Sequence, residues 1–491
     1  MQTQPEHRTS KTLDSEEAQS PVKNMSPLWL KARRVSWPDA LILLLLYPIL
    51  LFGLAQQQLH PDTEKYQCYA FAFWHGISAL PALPTGQCTF ITHPADTTAA
   101  KTHTAFLEYI KHSALPTQVV MAIEGQSMSQ QAYHLLPYEY PLLALLSFSP
   151  GLLGPSGWYR ETFALWMFCI TVGLYVLLLH RRSRGAALAF ALYLAIGCFG
   201  TALGRFDLLP TACTFGALLC AERAKWRYAF LLLAIATMLK FYPVVLLVPL
   251  LITQWTWAPL SSSPPLVATR GRGRWIEVVG RRYISLAIFI SICSMITVLS
   301  LAVSVEGTLA PLIYFGMRPL QIESTSASVV WLLSTIGGYP LTYAFSFGSR
   351  NVLSLFSGAV LQGGGLLFVA GLCFVYWLQW REKITLSLTF LLTLLLVVVT
   401  GKVFSAQYLI WLAPFVAYAG GWERRWLLSW GGVSLITTLI YPFLYNRGQY
   451  PFGTLLPEMY ATICIRNVLL LLFTCSVLFL AARNHFRTDV R

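Results

Sequence analysis

With 56% of its 491 residues hydrophobic, 11% charged and a mean hydropathy of +0.57, this chain carries too little charge for a soluble protein of its size. Its apolar residues fall in discrete blocks, several longer than the roughly 18 residues needed to cross a bilayer, which excludes one large soluble core. The formal charge of +14 would suggest nucleic acid for a soluble domain, but the basic residues stand in short runs beside apolar blocks, the pattern that orients membrane helices.

The fold class expected is therefore all-α, a polytopic membrane protein with about twelve transmembrane helices. The segment Met1–Arg34 is polar, rich in Ser, Glu and Lys, and reads as a disordered cytoplasmic tail reaching residue 37. It does not read as a signal peptide, because the apolar run starts too far in and no small-residue cleavage site follows. The membrane domain is expected over 38–482, with a second cytoplasmic tail at 483–491. The first helix, Ala40–Leu54, has Lys31, Arg33 and Arg34 on its cytoplasmic flank.

A long outer segment follows at 56–157, expected as a loop carrying juxtamembrane helices. Its part from Gln56 to Pro137 has no arginine and holds six of the nine histidines: His60, His75, His93, His103, His112 and His134. Their spacing does not fit a zinc site, and no metal is expected. Cys68 and Cys88 can form a disulfide if this segment lies outside the cytosol, while the other eight cysteines fall in apolar blocks as small core residues. Tyr140–Gly154 is apolar but short and contains Pro141 and Pro150, so it reads as a re-entrant or interfacial element. Ala327–Arg350 is read the same way.

The basic clusters Arg181–Arg184, Arg223–Arg227, Arg270–Arg282, Arg381–Lys383, Arg424–Arg425 and Arg483–Arg487 are all assigned to the cytoplasm. Between them the expected spans are 39–57, 158–180, 186–204, 208–221, 228–240, 242–255, 283–303, 352–380, 384–401, 404–420, 426–444 and 460–482.

On this topology the informative residues are charges at outer helix ends, where charge is expensive unless paired or used. Asp62 and Glu64 follow the first helix, Arg205-Phe206-Asp207 and Lys240-Phe241-Tyr242-Pro243 form two outer turns, Arg318, Gln321 and Glu323 share a loop, and Lys402, Gln407 and Tyr408 cap a third hairpin. Acids near helix 1 with several cations elsewhere suit an anionic lipid headgroup and a hydroxyl awaiting a base. Each feature also has a plainer reading: Arg205 and Asp207 as a local ion pair, Lys240 and Lys402 as snorkelling anchors, Asp62 and Glu64 as solvated acids.

In order along the chain, Asp62-Thr63-Glu64-Lys65-Tyr66, Tyr138-Glu139-Tyr140-Pro141-Leu142, Gly204-Arg205-Phe206-Asp207, Lys240-Phe241-Tyr242-Pro243, Arg318 to Ser324 and Lys402 to Trp411 resemble motifs of the GT-C superfamily of polyprenyl-phosphate-dependent glycosyltransferases. They are most similar to glycosyltransferase family 87, which includes bacterial α-mannosyltransferases. The sequence departs from that family's usual motifs at Tyr140-Pro141-Leu142 and Ser405-Ala406-Gln407, without losing an ionisable group.

The resemblance implies a GT-C-like bundle in the cell membrane, metal-independent and without a cofactor. Its donor would be a polyprenyl-phosphate sugar, often mannose, and its acceptor a glycolipid or glycan on the outer face. Asp62 matches the general-base position best, with Glu64 in reserve. Arg318, Lys402, Arg205 and Lys240 are the candidates to hold the donor phosphate, with Asp207, Gln321, Glu323, Gln407, Tyr408 and Tyr140 lining the site. The physics agrees, since a lipid phosphate is already a leaving group that positioned cations can stabilise. Tyr66, Tyr69, Phe73 and Trp74 could stack on sugar faces. The competing classes are a polysaccharide polymerase or ligase using a diphosphate-linked donor, and a transporter, which would put its ionisable residues near mid-membrane.

Overall fold

The computed structural model describes residues 35–56, 62–93, 98–256, 271–447 and 457–488. The expectations for the 1–34 tail with its basic flank, for His60 and for Arg270 lie outside the described residues. Helix α1 (Trp37–Ala55) begins at Ser36, whose N–H and hydroxyl both donate to the Asp39 carboxylate, at 2.9 and 2.6 Å, closing the first turn. A Cβ on Gly53 would collide with the Phe199 carbonyl, so glycine is what lets α1 lie against that turn.

The outer segment is mostly helical: α2 (Asp62–His75), α3 (Thr89–Thr92), α4 (Thr98–Lys111), α5 (Thr117–Ser127) and α6 (Ala144–Phe148). A disulfide joins Cys68 of α2 to Cys88 at the head of α3, with sulfurs 2.04 Å apart. Protein purified without reductant and then unfolded should leave Cys68 and Cys88 unalkylated, and intact-mass counting of modified thiols checks this. Modification of all ten cysteines would refute the pairing. The apolar helix over Ala144–Leu153 rises only about 15 Å, too little to cross a bilayer.

The membrane-type helices follow as α7 (Tyr159–Arg181), α8 (Arg184–Gly197), α9 (Leu208–Ala221), α10 (Trp226–Leu239), α11 (Leu247–Thr256) and α12 (Gly271–Val303). Then come α13 (Val305–Met317), strand β1 (Leu320–Gln321), α14 (Thr325–Gly337), β2 (Thr342–Ser346), β3 (Ser349–Leu353), α15 (Ser357–Trp380), α16 (Leu386–Thr400), α17 (Tyr408–Gly420), α18 (Arg424–Thr438), α19 (Tyr445–Arg447) and α20 (Pro457–Thr488). The last helix therefore continues past residue 482, where a tail was expected.

Six helices among the described residues are long and apolar enough to cross a membrane: Trp37–Ala55, Ser156–Arg181, Tyr283–Val303, Ser357–Trp380, Arg424–Arg447 and Glu458–Leu480. They make the chain a helical membrane protein. The other six expected spans are short helices. Arg184–Gly197, Leu208–Ala221, Trp226–Leu239, Tyr242–Thr256, Leu386–Thr400 and Tyr408–Gly420 rise at most about 22 Å each. The spans expected at 208–221, 228–240, 242–255 and 384–401 match these helices to within two residues at each end, whereas 186–204 and 404–420 overrun theirs because the chain leaves the helix while still buried, as at Cys198–Leu203 between α8 and α9. These short helices pack on one another, on α7 and α18, and supply much of the buried apolar core.

Ala327–Arg350 contains most of α14 and then the β2–β3 hairpin, which with β1 forms a three-stranded antiparallel sheet of order β1-β3-β2. Phe347 and Gly348 make the two-residue turn, both at positive φ as the twist of a tight hairpin requires.

Polar contacts sort into two groups at opposite ends of the short helices. At one end Arg184 reaches buried Asp39 at 3.0 Å, so the Arg181–Arg184 cluster lies beside the start of α1. At that end too, Tyr418 donates to Glu222 at 2.6 Å with Arg182 over its ring. The other end gathers the candidate site.

Candidate functional site

The turn between α8 and α9 carries both Arg205 and Asp207, but these do not pair with each other. Arg205 forms an ion pair with Asp62, the first residue of α2. Asp207, fully buried, takes a 2.6 Å hydrogen bond from Lys240 and one of 2.5 Å from the indole N–H of Trp411. The local Arg205–Asp207 pair is thus replaced by two pairings that cross between elements. Trp411 is held flat between Tyr242 and Tyr408, with ring centroids 3.9 and 4.0 Å away. Lys240 stands 5.1 Å from the rings of Trp411 and Phe206 and 6.0 Å from Tyr140, so aromatic faces surround the ammonium. Trp411 closes the last of the sequence motifs, and its role at Asp207 could not be read without the contact.

The remaining cations differ. Arg318 ends α13 and forms no ion pair among the described residues, and its Nε is buried with no hydrogen-bond partner. It lies close enough to Lys240, Lys402, Tyr408 and Glu323 to act electrostatically on each. Lys402 donates to the Gly316 carbonyl at 3.1 Å and lies 4.8 Å over the Phe315 ring, again with no carboxylate. Burial, and then the Arg318 charge, hold the Lys402 ammonium below its ordinary pKa. An anion bound between the two would reverse that pressure. The Gln321 N–H donates to the Lys402 carbonyl at 3.0 Å, which ties the two cation-bearing loops together.

Glu323, buried, sits beneath these loops. Tyr445 donates to it at 2.9 Å, Gln321 approaches at 3.5 Å, and Arg466 of α20 is 3.6 Å from its other oxygen. Burial raises the Glu323 pKa, while Arg466, Tyr445 and Arg318 pull it back. The sequence reading missed Arg466. Its signal was a lone arginine within the apolar block 460–482, where charge is costly.

The other candidates are placed as follows. Glu64 is two residues from Asp62 on α2, so the two carboxylates leave the helix in different directions. Tyr66 and Tyr69 are buried against Phe148 and Phe90 and present no face to a sugar. Phe73 and Trp74 pack with Tyr133 towards the far end of α2, about 17 Å along the helix from Asp62. Tyr140 is a buried ring packed edge-on against Phe206. Gln407 stands at the head of α17 with its amide oxygen buried and without a hydrogen-bond partner among the described residues.

Among the described residues, no three His, Cys, Asp or Glu side chains gather to hold a metal. His103 instead shares a 2.6 Å hydrogen bond with Glu306, fastening α4 to α13.

Among the described residues the arrangement pairs each of Asp62 and Asp207 with one cation and leaves Arg318 and Lys402 without an acid partner, an excess of positive charge in a half-buried setting. Such a setting favours an anion with several acceptor oxygens. Fold and site together describe a helical membrane protein with a cation-rich polar centre at one end of its bundle. No protein-family model matches the chain and no curated protein matches its sequence, so the likeness to glycosyltransferase family 87 rests on its short motifs.

Proposed function

We propose that this protein is a GT-C-like glycosyltransferase of about twelve membrane passes, with both termini in the cytoplasm and its site on the outer face of the cell membrane. It transfers a hexose, mannose by the resemblance, from a polyprenyl phosphate to a hydroxyl of a glycolipid or glycan. The observation that carries the reading is the pair Arg318 and Lys402, electrostatically coupled and without a carboxylate partner among the described residues, with Arg205 of the Asp62–Arg205 ion pair acting on the same Lys240 and Tyr408 as Arg318. The topology is supported by the alternation of α8, α9 and α17 between the Arg184 end and the Asp207 end.

In the reaction the acceptor oxygen bonds to the anomeric carbon as the bond from that carbon to the phosphate oxygen breaks. The electron pair leaves on the polyprenyl phosphate, where Arg318 and Lys402 stabilise it, and the acceptor's proton passes to Asp62. The incoming phosphate also competes for Arg205, which frees the Asp62 carboxylate as the substrate arrives.

The test is transfer from labelled polyprenyl-phosphate mannose by membranes or purified protein. Arg318→Gln and Lys402→Met are each expected to raise the donor KM about tenfold or more by removing a charge-assisted contact. Transfer should persist in chelator, whereas a diphosphate-linked donor more often needs a divalent ion. Absence of transfer from any polyprenyl-phosphate sugar, or unchanged donor KM in both variants, would reject the reading.

A further inference from the structure

The C-terminal helix α20 contributes a fully buried charge to a site whose sequence motifs all lie upstream of it. Arg466 donates from Nη2 to the Glu323 carbonyl at 2.5 Å and brings Nη1 to 3.6 Å from the Glu323 carboxylate. Its guanidinium carbon lies 3.9 Å over the ring of Phe404. Its neighbour Asn467 donates to the carbonyls of Glu323 and Ser324, each at 3.2 Å, and to the Ser328 hydroxyl at 2.8 Å. Glu323 is five residues past Arg318, and Phe404 two past Lys402. One side chain thus touches both loops that bear the unpaired cations.

The geometry points to Arg466 as a positioning residue: it neutralises Glu323 and braces Phe404, so that Arg318 and Lys402 stay available to a phosphate. The physical reason lies in the alternatives open to Glu323. A buried carboxylate takes whatever cation is in reach, and besides Arg466 the Arg318 charge already acts on Glu323. Without Arg466 the Glu323 charge draws Arg318 into an ion pair, and the phosphate site loses one cation and gains one anion. Two nitrogens of Arg466, Nε and Nη1, make no hydrogen bond among the described residues. That is poor satisfaction for a purely structural guanidinium, and fits a group kept for its charge.

This inference rests on the proposed phosphate site, so the experiment reads phosphate binding apart from sugar transfer. The purified full-length protein is titrated with farnesyl phosphate, and farnesol serves as the uncharged control. Arg466→Met is expected to weaken farnesyl phosphate binding about tenfold or more, with Arg466→Lys closer to wild type. The deciding variant is Arg466→Met with Glu323→Gln, in which both buried charges are gone. It should bind within about threefold of wild type, since Arg318 no longer has an acid to answer. A double variant as weak as Arg466→Met overturns the charge-balancing role, and so does a single variant with unchanged binding. If Arg466→Met alone proves polydisperse, the neutral double variant still decides: binding near wild type supports the role, and loss of binding overturns it. Phosphate binding with this pattern but no sugar transfer would reject the glycosyltransferase reading and keep the inference. Failure of the wild type to prefer farnesyl phosphate over farnesol would reject both.

Discussion

Asp62→Asn is expected to lower sugar transfer by about 10²–10⁴-fold while leaving expression and donor binding close to wild type. The acceptor hydroxyl is a weak nucleophile that needs a base within hydrogen-bond reach as it attacks. Asp62 opens α2 and pairs with Arg205, so its carboxylate is held in one place at the edge of the cation-rich centre. An acid paired with arginine is a poor base, because the neighbouring charge stabilises the carboxylate and weakens its hold on an incoming proton. The reaction therefore requires Arg205 to turn to the phosphate when the donor binds. That requirement separates two explanations of an inactive Asn variant. If Asp62 only held Arg205, Arg205→Gln would remove the same contact and lose as much activity with a similar profile. If Asp62 is the base, Arg205→Gln weakens chiefly the donor KM and leaves kcat less affected. Full activity in Asp62→Asn would remove Asp62 from the chemistry.

The residues that could be read from the sequence were those whose charge stands out against an apolar background. Asp62, Arg205, Lys240, Arg318 and Lys402 are visible because each interrupts or ends a hydrophobic run; in the structure Asp62 pairs with Arg205, and the Arg318 charge acts on both Lys240 and Lys402. Their partners were not visible. Asp207 is two residues from Arg205 but bonds to Lys240 and Trp411, more than thirty and two hundred residues away, and spacing cannot report such contacts. The spans expected at 186–204 and 404–420 overran their helices for a related reason. A hydropathy window registers burial rather than backbone hydrogen bonding, so it runs on through the buried turn at Cys198–Leu203 as though α8 continued. The β2–β3 hairpin escaped because Tyr343 and Phe345 made its apolar content resemble the edge of a membrane segment. The Arg466–Glu323 pair was missed because a lone buried arginine in the last helix had no recognisable partner until the loop folded under it.

Asp207→Asn is expected to cost about 3–5 kcal/mol of stability, the range found when one member of a buried ion pair is removed. Asp207 is fully buried and Lys240 nearly so, at 1% and 15% side-chain exposure. An asparagine still accepts from the Trp411 indole but cannot balance the ammonium, which is left among aromatic rings with Arg205 and Arg318 as further positive neighbours. The loss is read as a lowered unfolding midpoint of the purified protein in detergent. The paired substitution Asp207→Leu with Lys240→Met removes both charges together and should recover most of that stability, because well-packed apolar side chains can replace a buried ion pair at little loss. A purely structural pair would then leave transfer intact. If Lys240 instead helps to hold the donor's phosphate, the neutral pair gives a stable protein with an impaired donor KM, and stability and activity part company. Equal midpoints for Asp207→Asn and wild type would mean that the Asp207–Lys240 contact does not hold the α9 and α10 turns together.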